Sequence, residues 1–195
     1  MVNILEVILV SKSRARREIL ERIGLKVIVK LANINERKLE KGSLDDVLRV
    51  TRENSINKIK PFKDLSSSRP VISADTLIYC EGRVYGQPRS IEDARETLLM
   101  LRNRTHFVVS GYCVLYKDNC CSGYAITKVY MRDYSLDEIE YYLDTGEWRN
   151  KAGAYAIQGI GAFLIKKIEG CFYNVVGLPL AQIIESLKRF GLWPP

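Results

Sequence analysis

The run Val71–Cys80, VISADTLIYC, is apolar and β-branched with one carboxylate, Asp75, set in its middle. It is short and follows the turn-forming segment Ser66-Ser67-Ser68-Arg69-Pro70, so it reads as a buried strand in preference to a buried helix. An ionised Asp inside such a strand loses hydration worth several kcal/mol unless a cation or hydrogen-bond donors compensate it. Asp75 therefore faces a cleft, a metal or a basic group, or else it merely ends one strand and caps a turn. The run alone leaves both readings open.

A chain of 195 residues that is 47% hydrophobic is long enough to bury one substantial core, and it reads as a single domain over 1–195. No apolar stretch reaches the ~18 residues that span a bilayer. The start, Met1–Val10, lacks a basic flank and a small-residue cleavage site, so a first strand is expected there in place of a leader, and with it a cytoplasmic location. Five cysteines, at 80, 113, 120, 121 and 171, show neither metal-ligand spacing nor a disulfide framework. The net charge of +7, from 30 basic and 23 acidic residues, suits an anionic partner. No aromatic-rich basic ribbon accompanies it, so a stable nucleic-acid complex is not expected.

In chain order, residues 4 to 10 read as a strand. Ser11–Ser13 then leads into a helix with Ser13 as N-cap, through Ile19, Leu20 and Ile23 to Gly24. The free amides of that helix start, with serine hydroxyls and arginines nearby, offer a phosphate site. An ordinary capped helix with a solvated basic face explains the same residues. Leu25–Ala32 predicts a second strand, and a helix of about 15 residues follows Ser43, with Leu44, Val47, Leu48, Thr51, Ile56 and Ile59 on one face. Phe62–Pro70 reads as a polar loop. After the central strand, Glu81-Gly82-Arg83 makes a hairpin turn, and Ser90 caps a helix over 91–102. Strands are expected at 107–116, 121–131 and 163–168, and helices at 136–143 and 180–190. Strands and helices alternate without repeats, which gives an α/β class with a mixed central sheet flanked by helices. His106, the single histidine, sits before a strand, where a ring nitrogen commonly satisfies a backbone group, and no triad signature accompanies it.

Five segments, taken together, resemble the Maf family of nucleoside triphosphate pyrophosphatases. They are Ser11-x-Ser13-x-x-Arg16, Ile72-Ser-Ala-Asp75-Thr76, Arg104-Thr-His106, Lys151-Ala-Gly-Ala-Tyr-Ala-Ile-Gln158-Gly159 and Asn174-Val-Val-Gly-Leu-Pro179. The resemblance covers nearly the whole chain, and the Ala-Asp-Thr and Ala-Ile-Gln-Gly forms are similar to the dTTP/UTP branch.

What the resemblance implies is specific. The fold is an elongated domain with two lobes around a cleft, as in inosine triphosphate pyrophosphatases. The reaction splits dTTP, UTP or modified pyrimidine nucleotides into monophosphate and diphosphate with magnesium or manganese, limiting misincorporation into nucleic acids. Asp75 takes the catalytic position, and Glu36 joins it as a metal ligand. Ser11, Ser13, Arg16, Lys58, Gln87 and Lys151 take substrate-binding positions. Ala15, Thr76 and Gln158 fall where specificity is set, and a homodimer is implied. Three positions depart from the pattern: Ala15 stands for an arginine, which Arg14 could replace from one position earlier, Gln87 for a lysine and Asn150 for an aspartate. A reading from another class is a basic protein that binds nucleotides or nucleic acid without hydrolysis. Asp75 separates the two, because a polyphosphate-binding site gains nothing from a carboxylate unless a metal intervenes.

Overall fold

The computed structural model describes residues 4–194; Met1–Asn3, the start of the segment weighed as strand against leader, and Pro195 lie outside them. One sheet organises the chain, in the order β2 (Lys26–Lys30), β1 (Glu6–Val10), β3 (Val71–Cys80), β5 (Thr105–Tyr116), β6 (Asn119–Met131), β7 (Ile165–Glu169), with β4 (Arg83–Tyr85) added to β3. The first three are parallel and the rest antiparallel, so the mixed α/β class holds. Among the described residues no helix is long and apolar enough to cross a membrane.

Helix α1 (Arg14–Arg22) links β1 to β2 on one face of the sheet, and α2 (Leu44–Ile59) links β2 to β3 on the other. Strand order therefore reverses between β1 and β3, and a crevice opens at such a reversal, beyond the carboxyl ends of the strands. The register sharpens this. On one edge of β3, β1 pairs only Val71–Ser73 and β4 only Ile78–Cys80, so Ala74–Leu77 face an opening. The other edge is paired to β5 without a break from Val71 to Tyr79. Asp75 lies in that gap.

The caps are as read. Ser13 accepts from Arg16 N, Ser90 from Asp93 N, and Ser135 with Glu138 forms a reciprocal capping box ahead of α4 (Leu136–Asp144). Of the segment expected to be a polar loop, 62–70, the part to Ser67 lies in a 3₁₀ helix over Lys60–Ser67 kinked at Phe62, and 68–70 form a turn outside it. Pro61, whose fixed φ suits a helix start, extends α2 into this tighter turn. After β7 comes a short helix, α5 (Phe172–Val176), which the sequence reading passed over, and then α6 (Leu180–Arg189). The core divides accordingly: Leu9, Leu20, Ile72, Leu178 and Ile183 pack around α1 and α6, whereas Leu98, Tyr134, Ile139, Tyr142 and Leu164 pack around α3 (Ile91–Leu101) and α4.

His106 belongs to the second cluster. Its ring is fully buried, but its Nε2 lies 2.8 Å from the Tyr155 hydroxyl and not on the backbone group expected, and among the described residues its Nδ1 has no hydrogen-bond partner. Burial pushes its pKa down to about 3, which keeps it neutral when folded. Between that value and the ordinary 6.5 the unfolded chain binds the extra proton, so this stabilisation is complete above pH 6.5 and lost as pH falls. By pH 4 the loss amounts to about 3 kcal/mol. His106→Phe should flatten the stability profile between pH 6.5 and 4 in urea unfolding; parallel profiles would assign the acid lability to other groups.

Gly111, opposite Asp75 in the β3–β5 register, explains how α2 comes so near. A Cβ there would stand 2.2 Å from Thr51 C and O and 2.3 Å from Arg52 N. Only a residue without a side chain lets the helix backbone lie against the strand. Gly111→Ala should cost about 3 kcal/mol in urea unfolding; a variant of unchanged stability would show that α2 can shift away freely.

Candidate active site

The gap in β3 opens into a cleft of about 1700 Å³. Its lining includes Ser11, Ser13, Ala15, Arg16, Glu36, Lys58, Asp75, Thr76, Gln87, Lys151 and Gln158, so the residues singled out from sequence surround one space. Eleven basic and five acidic side chains line it, which makes it an attractive field for an anion.

Asp75 is 8% exposed. Its Oδ1 accepts from Lys58 Nζ at 2.9 Å and its Oδ2 from Asn54 Nδ2 at 2.8 Å. Burial alone would raise its pKa, but the Lys58 ammonium, then Asn54 and Arg16, outweigh it and hold the carboxyl below its usual range. The carboxylate is therefore ionised and compensated, not the turn cap that the sequence left open. Lys58 is equally committed: its ammonium also donates to Ala74 O at 3.2 Å and lies 3.1 Å from Glu36 Oε2. One lysine thus bridges a buried carboxylate and a half-exposed one.

Alternation along β3 turns Thr76 to the opposite face. There Arg16 reaches in from α1, donating from Nε to Gly177 O at 2.7 Å, from one terminal nitrogen to Ala74 O at 2.7 Å and Ser11 Oγ at 3.3 Å, and from the other to Thr76 Oγ1 at 2.9 Å. Burial lowers the Arg16 pKa and the negative charges of Asp75 and Glu36 raise it; the guanidinium keeps its charge. Arg16 and Lys58 come from opposite faces of the sheet to the same carbonyl, that of Ala74, whose strand edge has no partner strand. Thr76 Oγ1 also contacts Ser110 Oγ at 2.8 Å and Gly177 O at 3.2 Å, so its hydroxyl is held within the wall.

The far rim is built from two loops. Gly153 N donates to Gly86 O at 3.0 Å and Gln87 Nε2 to Asn150 O at 3.2 Å, so two of the departing positions touch each other. Asn150 has φ +61, a left-handed conformation that Asn tolerates better than most residues. Gln158 is exposed on the rim. Beneath its loop the Glu147 carboxylate accepts from Ile160 N at 3.1 Å and Gly161 N at 2.8 Å. Arg14, the neighbour of Ala15, extends into solvent and pairs with Glu18 at 2.7 Å.

Sequence reasoning gave no role to Asn54, Glu147 or Gly177. Asn54 carried a signal, a polar residue on the apolar face of α2 one turn before Lys58. Gly177, φ +114 at the end of α5, stood inside a quoted motif without a task.

A model of the family described as Maf-like protein matches residues 6–190. The chain belongs to the Maf-like family. Its Maf-like relatives include proteins named dTTP/UTP pyrophosphatase from Pyrococcus furiosus, 41% identical over 94% of both chains, and from Dictyoglomus thermophilum, 40% identical over 95% of this chain and 96% of that one. A third so named, from Clostridium perfringens, is 38% identical over 96% and 98%. Among solved structures, a nucleoside-triphosphatase / dITP/XTP pyrophosphatase from Mycobacterium abscessus is 11% identical with a TM-score of 0.46, covering 98% of this chain and 100% of that chain.

Lys58 is the test of this electrostatic arrangement, because removing one partner of a buried pair strands the other. Lys58→Met should cost about 3 kcal/mol, and adding Asp75→Asn should recover part of that loss. Additive losses in a urea double-mutant cycle would mean that the two groups do not sense each other.

Proposed function

We propose that this Maf-like chain, acting as one domain over its whole length, hydrolyses nucleoside triphosphates between the α and β phosphates, releasing monophosphate and diphosphate, with dTTP and UTP preferred. The observation that carries the reading is Asp75: an ionised, buried carboxylate in the wall of a cleft whose other charges are mostly positive. A site that only bound polyphosphate would gain by replacing it.

The donor set fits a hard divalent cation. Magnesium takes one or two carboxylates and completes its shell with phosphate oxygens and water, and Asp75 and Glu36 flank the same ammonium. Phosphate oxygens and water would complete the shell of an ion held by these two carboxylates. Bound there, the ion would neutralise phosphate charge and polarise the bond to be cut. The chain's own residues do the rest. Asp75 orients the attacking water and accepts a hydrogen bond from it. Lys58 keeps Asp75 ionised and fixed, while Lys151, Lys12 and the Ser11–Ser13 turn face the phosphate tail. Arg16 and Thr76 form the rigid wall against which the nucleotide rests.

Base choice falls to Gln158. A pyrimidine such as uracil or thymine presents carbonyl acceptors flanking an N–H, and a side-chain amide matches an acceptor and the N–H in one plane. A base that cannot match the Gln158 amide forfeits those bonds. We also propose a cytoplasmic setting, and the family resemblance adds a homodimer to the reading.

Diphosphate release from dTTP, UTP, CTP, ATP and GTP with magnesium or manganese tests the whole reading. We expect kcat/KM for dTTP and UTP to exceed that for purines, Gln158→Ala to reduce the ratio, and Asp75→Asn to lower kcat by at least about 10³-fold while remaining folded. Equal rates for all bases would refute the specificity, and an active Asp75→Asn variant the mechanism.

A further inference from the structure

Asn54 is 3% exposed on the inner face of α2, and its amide makes three bonds at once. Nδ2 donates to Asp75 Oδ2 at 2.8 Å and to Arg37 O at 3.0 Å, while Oδ1 accepts from Arg37 N at 2.9 Å. A primary amide has two N–H groups, and both are committed. The paired bonds to Arg37 imitate one rung of a β ladder in a segment, residues 31–40, that has no regular structure of its own. The same segment carries Glu36, whose carboxylate lies on Lys58. Holding an irregular segment against a helix needs only the two Arg37 bonds. The third, to Asp75, joins that segment to the reacting end of the cleft.

We propose that Asn54 is a positioning residue: it fixes the rotation of the Asp75 carboxylate, leaving Oδ1 to Lys58, and through Arg37 it holds Glu36 beside the same lysine. The inference deepens the hydrolytic reading above and rests on it. Lys58 also touches both carboxylates, but its ammonium is a rotatable point charge whereas the Asn54 amide is planar and directional.

Asn54→Ala removes all three bonds. Asn54→Leu keeps about the same volume, adds no charge and makes none of the three bonds, so it decides the matter should the alanine variant fail to fold. For the best triphosphate we expect either variant to lower kcat by about 10²-fold with KM changed less than about threefold. The magnesium concentration giving half-maximal rate should rise, and amide exchange should quicken within residues 33–41. A wild-type kcat and magnesium dependence in the folded variants would overturn the role while leaving the hydrolytic reading intact, since a mere structural tie would move only the exchange rates. Failure of the wild-type protein to release diphosphate from any triphosphate would overturn both.

Discussion

The contact between Lys58 and Asp75 is the one on which the rest of the structure depends. A carboxylate within a strand that is otherwise apolar can stay ionised only if a cation reaches it without itself being left uncompensated. Lys58 does this from α2, but only because α2 lies flat on the sheet, and it lies flat only because Gly111 offers no side chain where Thr51 passes. The helix is thereby positioned by an absence, and its polar residues, Asn54 and Lys58, arrive at the charge from one and the same face. Neutralising Asp75 would relieve strain only if the carboxylate stood without partners. The two bonds it accepts remove that strain, and neutralising it would instead leave the Lys58 ammonium with Glu36 as its one remaining carboxylate among the described residues.

A second constraint comes from the sheet. Beyond Ser73 the strand outruns β1, and β4 does not join until Ile78. A strand edge left open in this way has backbone groups that must be satisfied elsewhere. Arg16 and Lys58 meet that need at Ala74 O, one from each face. The opening that exposes Asp75 is thus closed at its root by two cations, so the fold supplies positive charge and access at the same point.

Much of this was legible in the residues. The Asp75 strand, its hairpin and the helices begun by Ser13, Ser90 and Ser135 follow from local pattern, because the groups that decide them lie within a few positions of one another. Lys60–Ser67 misled because serines and a proline look like a loop, although a proline at a helix start is well placed. Asn54 was legible as a type of residue in an odd place but not as a tie, since its partners lie 17 and 21 positions away. Arg16 reads from sequence as a phosphate-binding cation. Its partners at Gly177 and Ala74, 161 and 58 positions off, give it a share in the wall that no local pattern carries.

The two departures at Gln87 and Asn150 gain meaning from their contact. If the lysine and aspartate usual in the family occupied these positions, a cation and an anion would stand side by side on the rim. Here both are neutral and an amide bonds a backbone carbonyl instead, so the pair is uncharged either way and the net field of the cleft is preserved. What changes is local: the Gln87–Asn150 contact carries no charge of its own, while Arg83 and Arg89 of the hairpin side and Lys12, Arg16 and Lys151 opposite still line the cleft. On the hydrolytic reading a triphosphate tail is drawn toward the Ser11–Ser13 turn, while Asp75 and Glu36, repelled by phosphate oxygens alone, admit them only together with a divalent cation. On that reading the same two carboxylates that would weaken a simple anion-binding cleft would make metal and substrate binding mutually dependent.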